Sequence, residues 1–405
     1  MSEAELSIEL KLEILKEKHN QIYDILVENE IDCWLIFVRE TEMSPDSIME
    51  LVVGNAVVLQ SAFIFAIENN KLKKIAIVGN FDANAEKEKQ IWDEVIGYTL
   101  GINELLQQTI ERYNPKTIAL DYSKDDVSAD GLSYGMYLML EEILHKFKER
   151  FVSAEAIIRA LRGRKTKKEL EFIIKACQIT EEINKRTTTN LREGLSEFEI
   201  QKMFYESIED ANVGYAWQKH QNPMCDAGPN KEFGHITPQP NIYTKKGHTL
   251  HNDFGVKYHS YCSDLQRMWF FGKKEEVPNE LNHAIKTIIQ AIQLAADSIK
   301  PCLHGWEVDK LVRDFIKMRG YEEFKHSLGH QVGLKAHDGG VLMGPLWERY
   351  GGSPNLLLEE GQIFTIEPSI KTQNYGMVAL EEMIIITKDG CEFLVPPLKD
   401  FIYIE

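Results

Sequence analysis

Two acidic hairpins and a histidine-rich segment between them carry the residue types that could do chemistry. In the first hairpin, Thr249-Leu250-His251-Asn252-Asp253-Phe254-Gly255 leads through a turn to Tyr261-Cys262-Ser263-Asp264-Leu265-Gln266-Arg267. Apolar flanks and β-forming residues make each arm a strand, so Asp253 and Asp264 sit on adjacent antiparallel strands. In the second, Gln362-Ile363-Phe364-Thr365-Ile366-Glu367-Pro368 precedes a turn over 371–376 and a long apolar strand, 377–386, that contains Glu381 and Glu382. Alternation along that strand turns Glu381 inward and Glu382 to the opposite face. A carboxylate in such surroundings is rarely buried without a partner. Between the hairpins, His326, His330 and His337 fall within twelve residues, with Gly329 and Gly333 favouring a loop or short strand over a helix. No H-E-x-x-H zinc helix is present. Four carboxylates and one of these histidines form a hard, oxygen-rich set suited to two divalent cations, Mn²⁺ best and Zn²⁺ or other borderline ions less well. His248, His251 and His259 offer a rival metal set, but exposed or packing histidines are the simpler reading.

The elements that must position these groups repeat. One helix begins near Glu169 and another near Leu281. Gly194-Leu195-Ser196-Glu197 opens a second helix, and Gly305-Trp306-Glu307 opens its counterpart. The offsets agree: 305 − 194 = 111, 367 − 253 = 114 and 381 − 264 = 117. Two α/β halves related by a pseudo-two-fold axis would bring both acidic hairpins to a common centre.

The first 152 residues read as a separate α/β domain without a catalytic constellation. Leu12, Leu15, His19, Ile22 and Leu26 mark a helix over 6–29. Strands are expected at Cys33–Val38, 56–67, 74–78 and 117–121, with a turn at Asn69-Asn70. Helical patterns occupy 84–95, 102–112 and 134–149. Arg159, Arg162, Arg164, Lys165, Lys167 and Lys168 read as a solvated linker and helix start rather than an anion patch. Thr166 to Glu169 has capping-box form. The boundary is placed at 152/153.

The chain has 405 residues and a formal charge of −17. That balance argues against nucleic acid and anionic membrane surfaces as partners. The six cysteines form no C-x-x-C pair, which suits reduced thiols. Met1-Ser2-Glu3-Ala4-Glu5 has no apolar core behind it and does not read as a signal peptide. The most apolar stretch, 56–67, is shorter than the roughly 20 residues a spanning helix needs. A cytoplasmic location is expected.

Taken together, Asp253, Asp264 after Tyr-Cys-Ser, His330 in Gly-His-Gln-Val-Gly-Leu, Glu367 in Ile-Glu-Pro, and Glu381 resemble the five metal ligands of the creatinase/aminopeptidase P family. The likeness runs over about 155–400, and more loosely over 1–150. It implies a pita-bread catalytic domain over 153–405 and an N-terminal domain that pairs subunits and limits access, hence a homodimer. It further implies hydrolysis of the N-terminal bond of short peptides, typically Xaa-Pro, as an aminopeptidase or a dipeptidase, by a hydroxide shared between two cations, with Mn²⁺ favoured and Zn²⁺ or Co²⁺ as alternatives. By the same resemblance, His337 would face the developing oxyanion and Glu367 would shuttle the proton. His235 would support the leaving side, and His326 would face the remainder of the substrate. Ala379 stands where Arg is common, Gln266 where Thr is usual and Ser369 where Gly commonly follows Glu-Pro. A metal-free creatinase-like C–N hydrolase and a non-catalytic binding protein on the same fold are the alternatives.

Overall fold

The computed structural model describes residues 7–229 and 237–405. The chain divides into two compact units, Leu6–Arg162 and Gly163–Glu405. The division falls ten residues beyond the expected 152/153 position. Ile157, Ile158 and Leu161 of the helix Glu155–Gly163 are buried.

The first unit is built on a mixed sheet. Its centre is Cys33–Val38, buried along its whole length, paired antiparallel with Ser61–Glu68 and parallel with Ile118–Leu120. Lys71–Gly79 and Glu94–Tyr98 extend one edge and Phe151–Ser153 the other. A strand buried on both faces needs a continuous apolar run, which Cys-Trp-Leu-Ile-Phe-Val supplies. Ser7 caps the helix Ile8–Glu28, which buries Leu15, Ile22 and Leu26 at helical spacing. Asn69 and Asn70 both have positive φ, the conformation a tight hairpin turn requires. The expected helix over 84–95 lies earlier, at Asn80–Glu88, and Glu94–Tyr98 is a strand instead.

The second unit repeats one layout twice. The helices Lys167–Thr188 and Glu197–Ala211 share a core with the strands Thr249–Phe254 and Leu265–Phe271. The helices Asn279–Ser298 and Gly305–Met318 share another with Ile363–Ile366 and Glu382–Ile386. Thr166 and Ser196 close capping boxes at their helix starts, and His304 does the same for Gly305–Met318. The strand Leu265–Phe271 joins the two cores: Trp269 and Phe271 enter the first, Met268 and Phe270 the second. Period-two alternation then places Gln266 on the Met268 face and Arg267 on the Trp269 face.

The basic stretch departs from a solvated linker. Lys165 is buried, with its Nζ 3.1 Å from Asp338 Oδ2, and Arg162 is buried with Nη1 donating to Ser47 O at 2.8 Å. Long-range partners draw these charges inward.

Candidate metal centre

Each acidic group is set by its strand. Asp253 lies directly opposite Gln266 in the antiparallel pairing of Thr249–Phe254 with Leu265–Phe271, so the two side chains share a face. Asp264 precedes the second of these strands and is buried. The turn before it is fixed by the Ser263 hydroxyl, which accepts from Val256 N at 2.9 Å and meets Thr180 Oγ1 at 2.7 Å. A Cβ at Gly255 would fall 2.0 Å from Ser263 O, so only glycine fits there. His330 ends the two-residue strand Gly329–His330, and its N–H donates to Thr365 Oγ1 at 3.1 Å. Glu367 follows Ile363–Ile366, its own N–H held by Leu328 O at 2.8 Å. Glu381 does not sit mid-strand as expected. The apolar run breaks into Met377–Ala379 and Glu382–Ile386, and the Glu381 carbonyl accepts from Arg267 Nη1 at 2.9 Å instead of from a ladder partner.

These elements bring Asp264, His330 and Glu381 together, with one ligating atom of each within 4.8 Å of the others. His330 Nε2 is 3.9 Å from Asp264 Oδ2 and 3.4 Å from Glu367 Oε1. Asp253 belongs to the same electrostatic cluster. Burial, and then the charge of the neighbouring carboxylates, holds Asp264, Glu367 and Glu381 well above the usual carboxylate range. Burial pushes His330 down to about 3, so its ring is neutral. Its Nδ1 faces Gln331 O at 3.3 Å and must donate to that carbonyl. The Nε2 lone pair therefore points at carboxylate oxygens, acceptor against acceptor. Glu381 Oε2 is buried with no hydrogen-bond partner. A set of acceptors with so few donors is costly unless a cation lies among them. The residues thus fit a divalent metal centre, with three carboxylates and one imidazole already oriented and Asp253 beside them.

The remaining candidates are less uniform. His337 is exposed, its ring 4.2 Å from that of His330 and nearly perpendicular to it. His326 is lowered to about 4 by burial; its Nδ1 meets Ser327 O and its Nε2 meets Ser369 Oγ, each at 2.8 Å. With Nδ1 donating to the carbonyl, Nε2 accepts from the Ser369 hydroxyl. His235 lies outside the described residues. His251 is a packed side chain against Asp226 and Gln266. His259 packs on the rings of Tyr258 and Phe172. Neither they nor His248 join the metal group found among the described residues. Gln266 and Arg267 are parts of the site whose partners sequence reasoning did not supply. The signal was the strand alternation that puts Gln266 opposite Asp253.

Residues 171–388 match metallopeptidase family M24. The chain is 29% identical over 273 residues to Xaa-Pro dipeptidase of Pyrococcus horikoshii, covering 66% of this chain and 72% of that one. The fold is similar to that of X-Pro aminopeptidase from Thermotoga maritima MSB8, with a TM-score of 0.70 and 22% identity over 93% of this chain and 98% of that one. It is also similar to Xaa-Pro dipeptidase from Bacillus anthracis, with a TM-score of 0.71 and 22% identity over 96% and 99%. These likenesses bear out the pita-bread fold.

Proposed function

The chain belongs to metallopeptidase family M24, and from that premise we propose that this metallo-exopeptidase hydrolyses the first peptide bond of short peptides, with proline preferred after that bond. The observation that carries the reading is the buried acceptor set of Asp264, His330, Glu367 and Glu381. With Asp253 these side chains would hold two divalent cations, Mn²⁺ before Zn²⁺ or Co²⁺ on the hardness of the donors. Such ions, when bound, supply Lewis acidity and lower the pKa of water.

The protein's own groups do the rest. His330 is kept in one tautomer by Gln331 O, so its Nε2 is committed to the centre. His337, exposed beside it, is placed to donate a hydrogen bond to the oxygen of the scissile carbonyl as charge develops there. Glu367 would shuttle the proton, taking it from the attacking water and passing it to the leaving nitrogen. His326, oriented by Ser327 O and Ser369, faces the part of the substrate beyond that bond. His235 would support the leaving side. The N-terminal unit would restrict access to short peptides and pair two subunits as a homodimer. We place the protein in the cytoplasm; no helix among the described residues is long and apolar enough to cross a membrane.

The test is a panel of Xaa-Pro dipeptides and longer Xaa-Pro peptides given to manganese-loaded protein. Cleavage of dipeptides alone marks a dipeptidase; cleavage of the longer members marks an aminopeptidase. Silence across the panel overturns the peptidase reading.

A further inference from the structure

Gln266 sits at the middle of a polar row that crosses three strands. Asp226 in Met224–Ala227 is paired with His251, and His251 in Thr249–Phe254 is paired with Met268, diagonal to Gln266. All three side chains therefore share the face that carries Asp253. They are buried: Asp226 is 6%, His251 4% and Gln266 8% exposed. His251 Nδ1 lies 3.5 Å from Asp226 Oδ2, and His251 Nε2 lies 3.0 Å from Gln266 Oε1. An amide oxygen only accepts, so His251 Nε2 donates. The carboxylate on its other side fixes which way the amide points. Gln266 Nε2 then faces the acidic cluster, reaching Glu367 Oε2 at 3.5 Å, and the same side chain favours the ionised form of Glu381. The opposite amide orientation would set a carbonyl oxygen against carboxylates and leave His251 Nε2 without an acceptor.

We propose that Gln266 is a positioning residue of the metal centre, its amide held by His251 so that its N–H groups face the acidic cluster and hold the Glu367 carboxylate in place beside Glu381. A carboxylate free to rotate loses binding energy to side-chain entropy and to misplaced lone pairs. Hydrogen-bonded partners of ligating groups remove that loss and commonly matter 10–100-fold in metal affinity. The assignment rests on the metal centre proposed above.

The experiment is calorimetric titration of metal-free full-length protein with Mn²⁺, alongside the visible absorption of the cobalt-loaded form. Gln266→Met keeps length and burial but removes both donors. It should weaken Mn²⁺ binding roughly 10–100-fold and alter the cobalt bands, while metal-free thermal unfolding stays near wild type. His251→Leu should weaken binding in the same direction, and His251→Gln, which keeps a donor near the Nε2 position, should recover most of the loss. The double variant Gln266→Met/His251→Leu should be no weaker than Gln266→Met alone, because the histidine acts through the amide. Wild-type affinity and spectra in Gln266→Met, or additive losses in the double variant, overturn the assignment while leaving the centre standing. Wild-type protein that takes up no divalent ion overturns both.

Discussion

Arg267 and Glu382, the chain neighbours of Gln266 and Glu381, form a buried ion pair, with Nη2 3.0 Å from Oε2 and each side chain 1% exposed. The same guanidinium reaches Glu181 through Nε at 2.7 Å and donates through Nη1 to Gln266 O at 2.8 Å and Glu381 O at 2.9 Å. One side chain thus ties the backbone at Gln266 to the strand break that bears Glu381. Breaking a buried pair leaves one charge uncompensated and costs about 3–5 kcal/mol. Arg267→Met should lower stability by that order in urea unfolding. Arg267→Met/Glu382→Leu should regain a large part, since the one carboxylate left without the guanidinium, Glu181, is 36% exposed. A double variant as unstable as the single one would show that the backbone contacts, not the ion pair, carry the effect.

Glu381→Gln should separate metal binding from stability. Burial and the charges of Asp264, Glu367 and Asp253 raise its folded pKa above the unfolded value near 4.3. The sign follows: this group's contribution is full below about pH 4 and is lost as pH rises through the folded value. In chelator, the variant should match wild type near pH 5 and unfold at a higher temperature near pH 8, with a gain of roughly 1–3 kcal/mol, the usual cost of a partnerless buried polar group. Its bound Mn²⁺, measured by elemental analysis, should fall. A variant less stable than wild type in chelator at pH 8 would contradict the crowding of acceptors described here.

The convergence of Asp264, His330 and Glu381 was legible because strand periodicity and a repeated offset are local properties of the chain. Thr166 was legible as a helix cap for the same reason. Lys165 was not, because its partner Asp338 is supplied by a distant segment. The break at Leu380-Glu381 was hidden inside an unbroken apolar run; only Arg267, arriving from another strand, takes the carbonyl that a continuous ladder would have used. The strand Glu94–Tyr98 was missed, its first two residues given to a helix, because Glu-Val-Ile-Gly-Tyr is too short for its period to be read apart from the helix before it. The start of Ser61–Glu68 was placed early because Val57 and Val58 read as β-formers, although Val58 is 62% exposed.

The first unit holds its own buried acid pair. Asp121 accepts from Trp34 Nε1 at 2.6 Å and hydrogen-bonds to Asp46, whose Oδ1 accepts from Ile48 N at 3.1 Å. Burial and then the Asp46 charge hold the Asp121 carboxyl well above the usual range; burial raises Asp46 as well, offset in part by the Ile48 N–H, Asp121 and Arg162. Stability from Asp121 is therefore full below about pH 3.9 and declines as pH rises through its folded value. Asp121→Asn keeps a donor toward Asp46 without a proton to lose. Its unfolding temperature should exceed that of wild type at pH 8 by an amount worth roughly 1 kcal/mol, with the two curves converging toward pH 4.5. Calorimetric scans across that range check it, and parallel curves would refute it.

His337 supplies the sharpest division between holding metal and using it. Its ring touches that of His330 edge to face at 4.2 Å, yet it is exposed while the donor atoms behind it are enclosed. On the role proposed for it, replacing it removes a hydrogen-bond donor from the substrate side without taking an atom from the acceptor cluster. The His330 tautomer is fixed by Gln331 O rather than by His337, so the imidazole should stay aimed at the centre. His337→Ala should therefore retain wild-type Mn²⁺ content while kcat on an Xaa-Pro dipeptide falls roughly 10²-fold, the scale of one lost transition-state donor. KM should change little, because the bond strengthens only as charge builds on the carbonyl oxygen. Paired measurement of metal content and of kcat against KM decides it. Loss of metal with loss of activity would make His337 a support for His330, and a raised KM at unchanged kcat would make it a contact to the bound peptide.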